Sequence, residues 1–161
     1  MKKFVLILAL LVLCGCAAEP APAVEEDSQL RFEFWYWEDS KFILDLSGTV
    51  TRGGETAQAE FSEELLAQLE ALAEEYPIDD IDFYLTSKNL KKPDEPMNGI
   101  EPLAKYSVTI GGHTVRGDAT AWNYVETSEQ AARFCALCDE LRELLHTVPE
   151  FLALPEPPPV L

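Results

Sequence analysis

Cys135-Ala136-Leu137-Cys138 is the stretch whose residue types and spacing most directly suggest chemistry, because a CxxC pair can cycle as a dithiol or give a metal two thiolates. His113 and His146 are the two histidines. With the cysteines they define a metal- or thiol-dependent enzyme reading that uses His113, Cys135 and Cys138. Redox pairs work at a helix N-terminus, where the dipole lowers the thiol pKa; this one falls about two turns inside a helical pattern, on or beside its apolar stripe. A zinc site needs two further ligands, and His146, eleven residues on, stands about 16 Å along the axis from Cys135. Packed thiols are therefore expected, with a disulfide formed after export and a metal site as alternatives. His113 follows a Gly-Gly turn and reads as a partly exposed edge residue. Asp79-Asp80-Ile81-Asp82 and Asp94-Glu95 lack the alternating oxygen donors and glycine of a calcium loop, so they read as solvated acid. No GxSxG, HExxH or glycine-rich phosphate loop occurs in the sequence. No cofactor is implied, and the expectation is a protein that is not an enzyme.

The elements that position these residues follow from periodicity. Arg31 to Trp37 and Lys41 to Arg52 alternate apolar and polar residues. With Glu38-Asp39-Ser40 as the loop, Trp37 pairs with Lys41, Trp35 with Ile43, Phe34 with Leu44 and Phe32 with Leu46. Even positions from Phe32 to Val50 form a core face. Ser62 caps a helix opened by Glu63 and Glu64, striped by Leu65, Leu69, Leu72 and Tyr76, and ended by Pro77. Ile81 to Leu85 reads as a short strand, and residues 86 to 103 as an irregular loop. Tyr106 to Gly117 is a hairpin about Gly111-Gly112, with Ile110 opposite His113 and Val108 opposite Val115. Ala119 to Val125 is a candidate strand. Thr127-x-x-Gln130 resembles a capping box before a helix striped by Phe134, Cys138, Leu141, Leu145 and Val148. The order ββαβββα predicts an α+β fold: two layers, a mainly antiparallel sheet built from hairpins, and two helices on one face.

The central aromatics pose the sharpest surface question. With Phe32, Phe34 and Tyr36 committed to the core, Trp35 and Trp37 turn to the opposite face with Lys41 and Ile43. Two explanations stand. Phe151-Leu152-Ala153-Leu154-Pro155 lies across them as internal cover, or they form a platform for a sugar ring, a peptidoglycan strand or a protein partner. Trp122 and Tyr124 extend either version.

The ends bound the rest. Lys2 and Lys3 precede ten apolar residues, Phe4 to Leu13, too few to span a hydrocarbon core that needs about 20. Leu13-Cys14-Gly15-Cys16 resembles the lipobox of bacterial lipoproteins. That resemblance implies a signal peptide over residues 1 to 15 and diacylation of Cys16, which becomes the first mature residue. Secretion with cleavage near Ala21-Pro22-Ala23 is the alternative. Residues 16 to 29 read as a lipidated cysteine and a disordered acidic, proline-bearing linker, roughly 40 Å long if extended. Residues 30 to 148 form one domain, and 149 to 161, with five of the eleven prolines, a Pro-rich tail. The layout of that domain resembles the small uncharacterised domains of many bacterial lipoproteins. Net charge is −17; loss of Lys2 and Lys3 leaves ten basic residues against 29 acidic ones, or −19. Such a charge disfavours nucleic acid and anionic lipid surfaces as partners. The expected protein is a lipid-anchored, extracytoplasmic binding or adaptor module of a bacterial membrane, with an envelope protein or a glycan as partner. A purely structural or inhibitory envelope protein is the further alternative.

Overall fold

The computed structural model describes residues 30–36, 40–91 and 104–157. The leader, Cys16, the linker, Trp37, Asp94-Glu95 and the last four residues lie outside the described residues. The fold is α+β. Six antiparallel strands form one sheet in the order β4-β3-β2-β1-β5-β6: β1 Arg31–Tyr36, β2 Ser40–Asp45, β3 Thr49–Arg52, β4 Glu55–Gln58, β5 Ala104–Ile110 and β6 His113–Asp118. Helix α1, Glu63–Glu75, follows β4; a single turn, α2, Ser87–Leu90, precedes β5; α3, Glu129–Leu145, and α4, Pro149–Ala153, close the chain. No helix among the described residues is long and apolar enough to cross a membrane.

Parity of position separates the two faces of the sheet. Phe32, Leu44, Val50, Val108 and Val115 are buried on one face, beneath Leu69 of α1 and Phe134, Cys138, Leu141 and Leu145 of α3. Ser62 caps α1 by accepting from the Leu65 N–H at 3.2 Å, and Glu63 and Glu64 suit its first turn. Ser128, not Thr127, caps α3, accepting from the Ala131 N–H at 3.2 Å. Gly111 and Gly112 both take positive φ, 55° and 78°, and set the pairs Ile110–His113 and Val108–Val115 as expected.

Four local expectations are corrected. The first hairpin closes about residues 37 to 39, with Tyr36 opposite Ser40, so Trp35 faces Lys41, Glu33 faces Ile43 and Phe32 faces Leu44. Each residue's partner shifts by two, which leaves every side chain on its expected face, although Tyr36, expected in the core, is 40% exposed at the end of β1; hydrophobic pattern cannot separate two such registers. Leu46 thereby falls in a turn rather than a strand, and the long second strand breaks into β2 and β3 at Gly48, with φ 84°. The 81–85 stretch buries Ile81 and Leu85, but only Leu85 joins the sheet, its N–H donating to Arg116 O at 2.9 Å and its carbonyl accepting from the Asp118 N–H at 3.0 Å. Ala119–Tyr124 is a 3₁₀ helix, started by Asp118, which accepts from the Thr120 N–H at 2.9 Å. The tail itself opens with α4: Pro149 at its first position has the φ a helix needs and no N–H to waste.

Candidate functional site

The outward face of the sheet gathers Arg31, Glu33, Trp35, Lys41, Ile43 and Asp45. Arg31 Nε donates to Glu33 at 2.7 Å and Arg31 Nη1 to Asp45 at 2.6 Å, while Lys41 Nζ lies 3.3 Å from Glu33 and 5.3 Å from the centre of the Trp35 ring. Burial opposes charge on Asp45, but hydrogen bonds from Ser47 and Arg31 outweigh it and hold its carboxyl below the usual range. Threonines pair around this network, Thr51 with Thr56 at 3.0 Å and Thr109 with Thr114 at 2.8 Å. Ile43 is 7% exposed and offers little surface. This face thus meets water through side chains that already satisfy one another. Phe151 does not lie across Trp35. It belongs to the main core on the opposite face, against Phe42 at 6.0 Å between ring centres. Nor does Trp122 extend the outward aromatic strip: it packs on Tyr106 at 4.6 Å and donates Nε1–H to Asp139 at 3.0 Å.

The groups of the enzyme reading are dispersed and engaged. Cys135 and Cys138 are free thiols buried under the sheet, and burial pushes Cys135 up to about 12 and Cys138 well above the ordinary thiol range. His113 Nε2 sits 3.0 Å from the Ile81 carbonyl oxygen, which can only accept, so Nε2 carries the proton. Asp80 binds Arg133 through both oxygens, at 2.6 and 2.8 Å, and this pairing lowers its pKa. Among the described residues, no three His, Cys, Asp or Glu side chains are grouped so as to hold a metal ion.

A concave site lies elsewhere, at the end of the core face where α3 stops. Phe34, Phe42, Arg52, Arg142, Leu145, His146, Glu156 and Pro157 line a cleft of about 250 Å³. That volume is below the range of drug-sized pockets and suits one side chain or a short peptide turn. An aromatic row runs beneath it: Trp122 on Tyr106, Tyr106 on Phe34 at 4.9 Å, Phe34 on Phe42 at 5.2 Å, Phe42 on Phe151, and His146 edge-on to Phe151 at 5.3 Å. Arg52 is the pivot. Its guanidinium carbon lies 5.3 Å from the Phe151 ring centre; Nη1 donates to the Leu154 carbonyl at 3.3 Å, and Nη2 to Glu156 at 3.0 Å. Its Nε, though buried, has no partner. Arg142 donates to Asp139 at 3.2 Å and is about half covered. Arg52 and Arg142 are thus each bound to a carboxylate at the cleft, Glu156 and Asp139, and each guanidinium carries donors beyond the one that this carboxylate takes.

Arg52 belongs to none of the motifs singled out above, although its position carries a signal. Arg52 occupies an even position of an alternating strand, so parity alone puts its charge on the core face, where an arginine needs a partner. Gly53-Gly54, both at positive φ, repeat the Gly-Gly signature of the second hairpin and mark the turn that makes Arg52 the end of β3. Comparison with known proteins finds no matching family model and no matching curated sequence, so the cleft is judged on its geometry.

Proposed function

We propose that this chain is a lipid-anchored, extracytoplasmic binding module without a catalytic role, and that its ligand enters the Arg52–Arg142–His146 cleft. The cleft carries this reading, because it combines an aromatic floor with two arginines whose donors Glu156 and Asp139 do not exhaust. The lipobox-like Leu13-Cys14-Gly15-Cys16 supports the tether. Thiols held protonated by burial, and a histidine committed to a backbone carbonyl, support a binding role over the metal- or thiol-dependent one. Trp35, Lys41 and the neighbouring Trp37 remain the surface for an envelope protein or glycan, secondary to the cleft because the Lys41 and Trp35 side chains already contact each other.

Two measurements test the proposal. Cys16→Ser should move the protein from membranes to the soluble fraction and remove the mass of the acyl chains; unchanged retention and mass would defeat the tether. On that soluble full chain, ligand-observed NMR with small aromatic and aliphatic acids should give hits that are lost in Arg142→Ala. An absence of hits, or hits that ignore this change, would defeat the cleft as the binding site.

A further inference from the structure

Building on the cleft as a binding site, we propose that it recognises an acidic, proline-flanked peptide segment, and that the chain's own Pro155-Glu156-Pro157, whose last two residues form one wall of the cleft, is an internal mimic which such a segment displaces. The seated segment has this chemistry. Arg52 reads it through the Leu154 carbonyl and the Glu156 carboxylate, and Pro157 closes the cleft beside Gly53, where an added Cβ would lie 3.3 Å from Pro157 Cα and 3.4 Å from the Pro155 carbonyl. Proline suits the role because its restricted φ means less entropy is lost on binding, and because each proline removes one N–H that an apolar wall would leave unpaired.

The internal mimic is a poor fit, which is what lets it be displaced. Glu156 is 82% exposed and takes a single bond from Nη2 of an arginine that is itself only 11% exposed. Nε lies on the same edge of the guanidinium as Nη2 and is unpartnered. A carboxylate accepting from both atoms makes the side-on fork that Glu156 leaves half made. Arg142 at the rim donates to Asp139 through Nη2 and has further donors for a second acidic group.

The test uses the soluble full chain carrying Cys16→Ser, and as probe the blocked peptide Leu-Pro-Glu-Pro-Pro, which copies residues 154 to 158, titrated by NMR. A tethered competitor acts at millimolar effective concentration, so a chain in which a Gly-Ser stretch replaces residues 155 to 161, keeping Leu154 an uncharged amide beside Arg52, should bind the probe about tenfold more tightly than the full chain. Glu156→Gln in the full chain, at a position too exposed to disturb folding, should give a smaller gain of about two- to fivefold, the value of an exposed ion pair. The probe with glutamine in place of glutamate should bind about tenfold more weakly to both variants. Equal binding of the two probes, or affinity unaffected by replacement of the tail, overturns the proposal. If small acids still bind through Arg142 while the peptide does not, the cleft survives as a binding site and the peptide assignment falls. Concentration-dependent dimers that vanish when the tail is replaced would assign the cleft to the tail of a second copy and overturn its reading as a site for a separate partner.

Discussion

Burial pushes the Cys135 thiol up to about 12 and Cys138 well above its ordinary range, with Asp139 adding to the shift of each. In the unfolded chain a thiol ionises near pH 8.5. The stability contributed by keeping these groups as thiols is therefore fully present below about pH 8.5 and is lost as pH rises toward the folded value. Each thiol can remove up to about 1.4 kcal/mol per pH unit in that window. Urea unfolding at pH 7.5, 9 and 10 should show this alkaline loss in the wild type and a much shallower one in the double variant Cys135→Ala, Cys138→Ala; an unchanged slope would mean that the thiols do not titrate with unfolding. Asp45 has the opposite sign. Its folded pKa is depressed, so its contribution is present above about pH 4 and disappears as pH falls through the lower folded value. Asp45→Asn should lower stability at pH 7 by under about 1 kcal/mol, as a partly exposed pair allows, and should leave the difference from wild type smaller near pH 3.

Among the elements, the two long helices, α1 and α3, were legible because their signals are local. A capping serine, two first-turn acids, leucines at helical spacing and a terminal proline define α1 without reference to the rest of the chain. The strands were legible as faces rather than as ladders. Phe32, Leu44 and Val50 hold their predicted face, yet neither the register nor the break at Gly48 could be read, because both preserve parity. Leu69 and Leu141, fully buried on different helices, should each cost about 2 to 5 kcal/mol on change to Ala, whereas Thr109→Ala on the outward face should cost under about 1 kcal/mol. Equal melting temperatures for the three variants would contradict the two-layer packing. Gly117→Ala tests the contact between β6 and α3, since the new Cβ would lie 2.6 Å from Phe134 Cε1 and 3.2 Å from Leu85. Phe134 is fully buried and cannot yield without disturbing its neighbours, so a loss of about 1 to 3 kcal/mol is expected in thermal unfolding.

At the scale of the whole molecule, the site was less legible than the fold, because it is assembled from residues far apart in sequence. Phe34, Arg52, Arg142 and Glu156 meet through β1 at the centre of the sheet, the β3 end, the C-terminal turn of α3 and the tail, and no local pattern announces that meeting. The tail is the clearest case. Its prolines argued for an appendage lying over Trp35, whereas Phe151 completes the main core and Arg52 ties the following residues to the β3–β4 turn. Truncation separates these arrangements. Ending the chain after Glu150 removes Phe151 and should cost about 3 to 5 kcal/mol, since a fully buried aromatic leaves a cavity between Phe42 and His146. Ending it after Leu154 keeps Phe151 and the Arg52 contacts to the Leu152 and Leu154 oxygens, at 3.5 and 3.3 Å, trades the Glu156 ion pair for one with the new terminal carboxylate and loses the packing of Pro155 and Pro157 beside Gly53, so it should cost no more than about 1 kcal/mol. Trp35 lies on the opposite face of the sheet, so quenching of its fluorescence by acrylamide, isolated in a Trp37→Phe, Trp122→Phe background, should be the same before and after the shorter cut. Increased quenching of Trp35 by that cut would put the tail back over the outward face, and similar stability losses from the two cuts would remove Phe151 from the core.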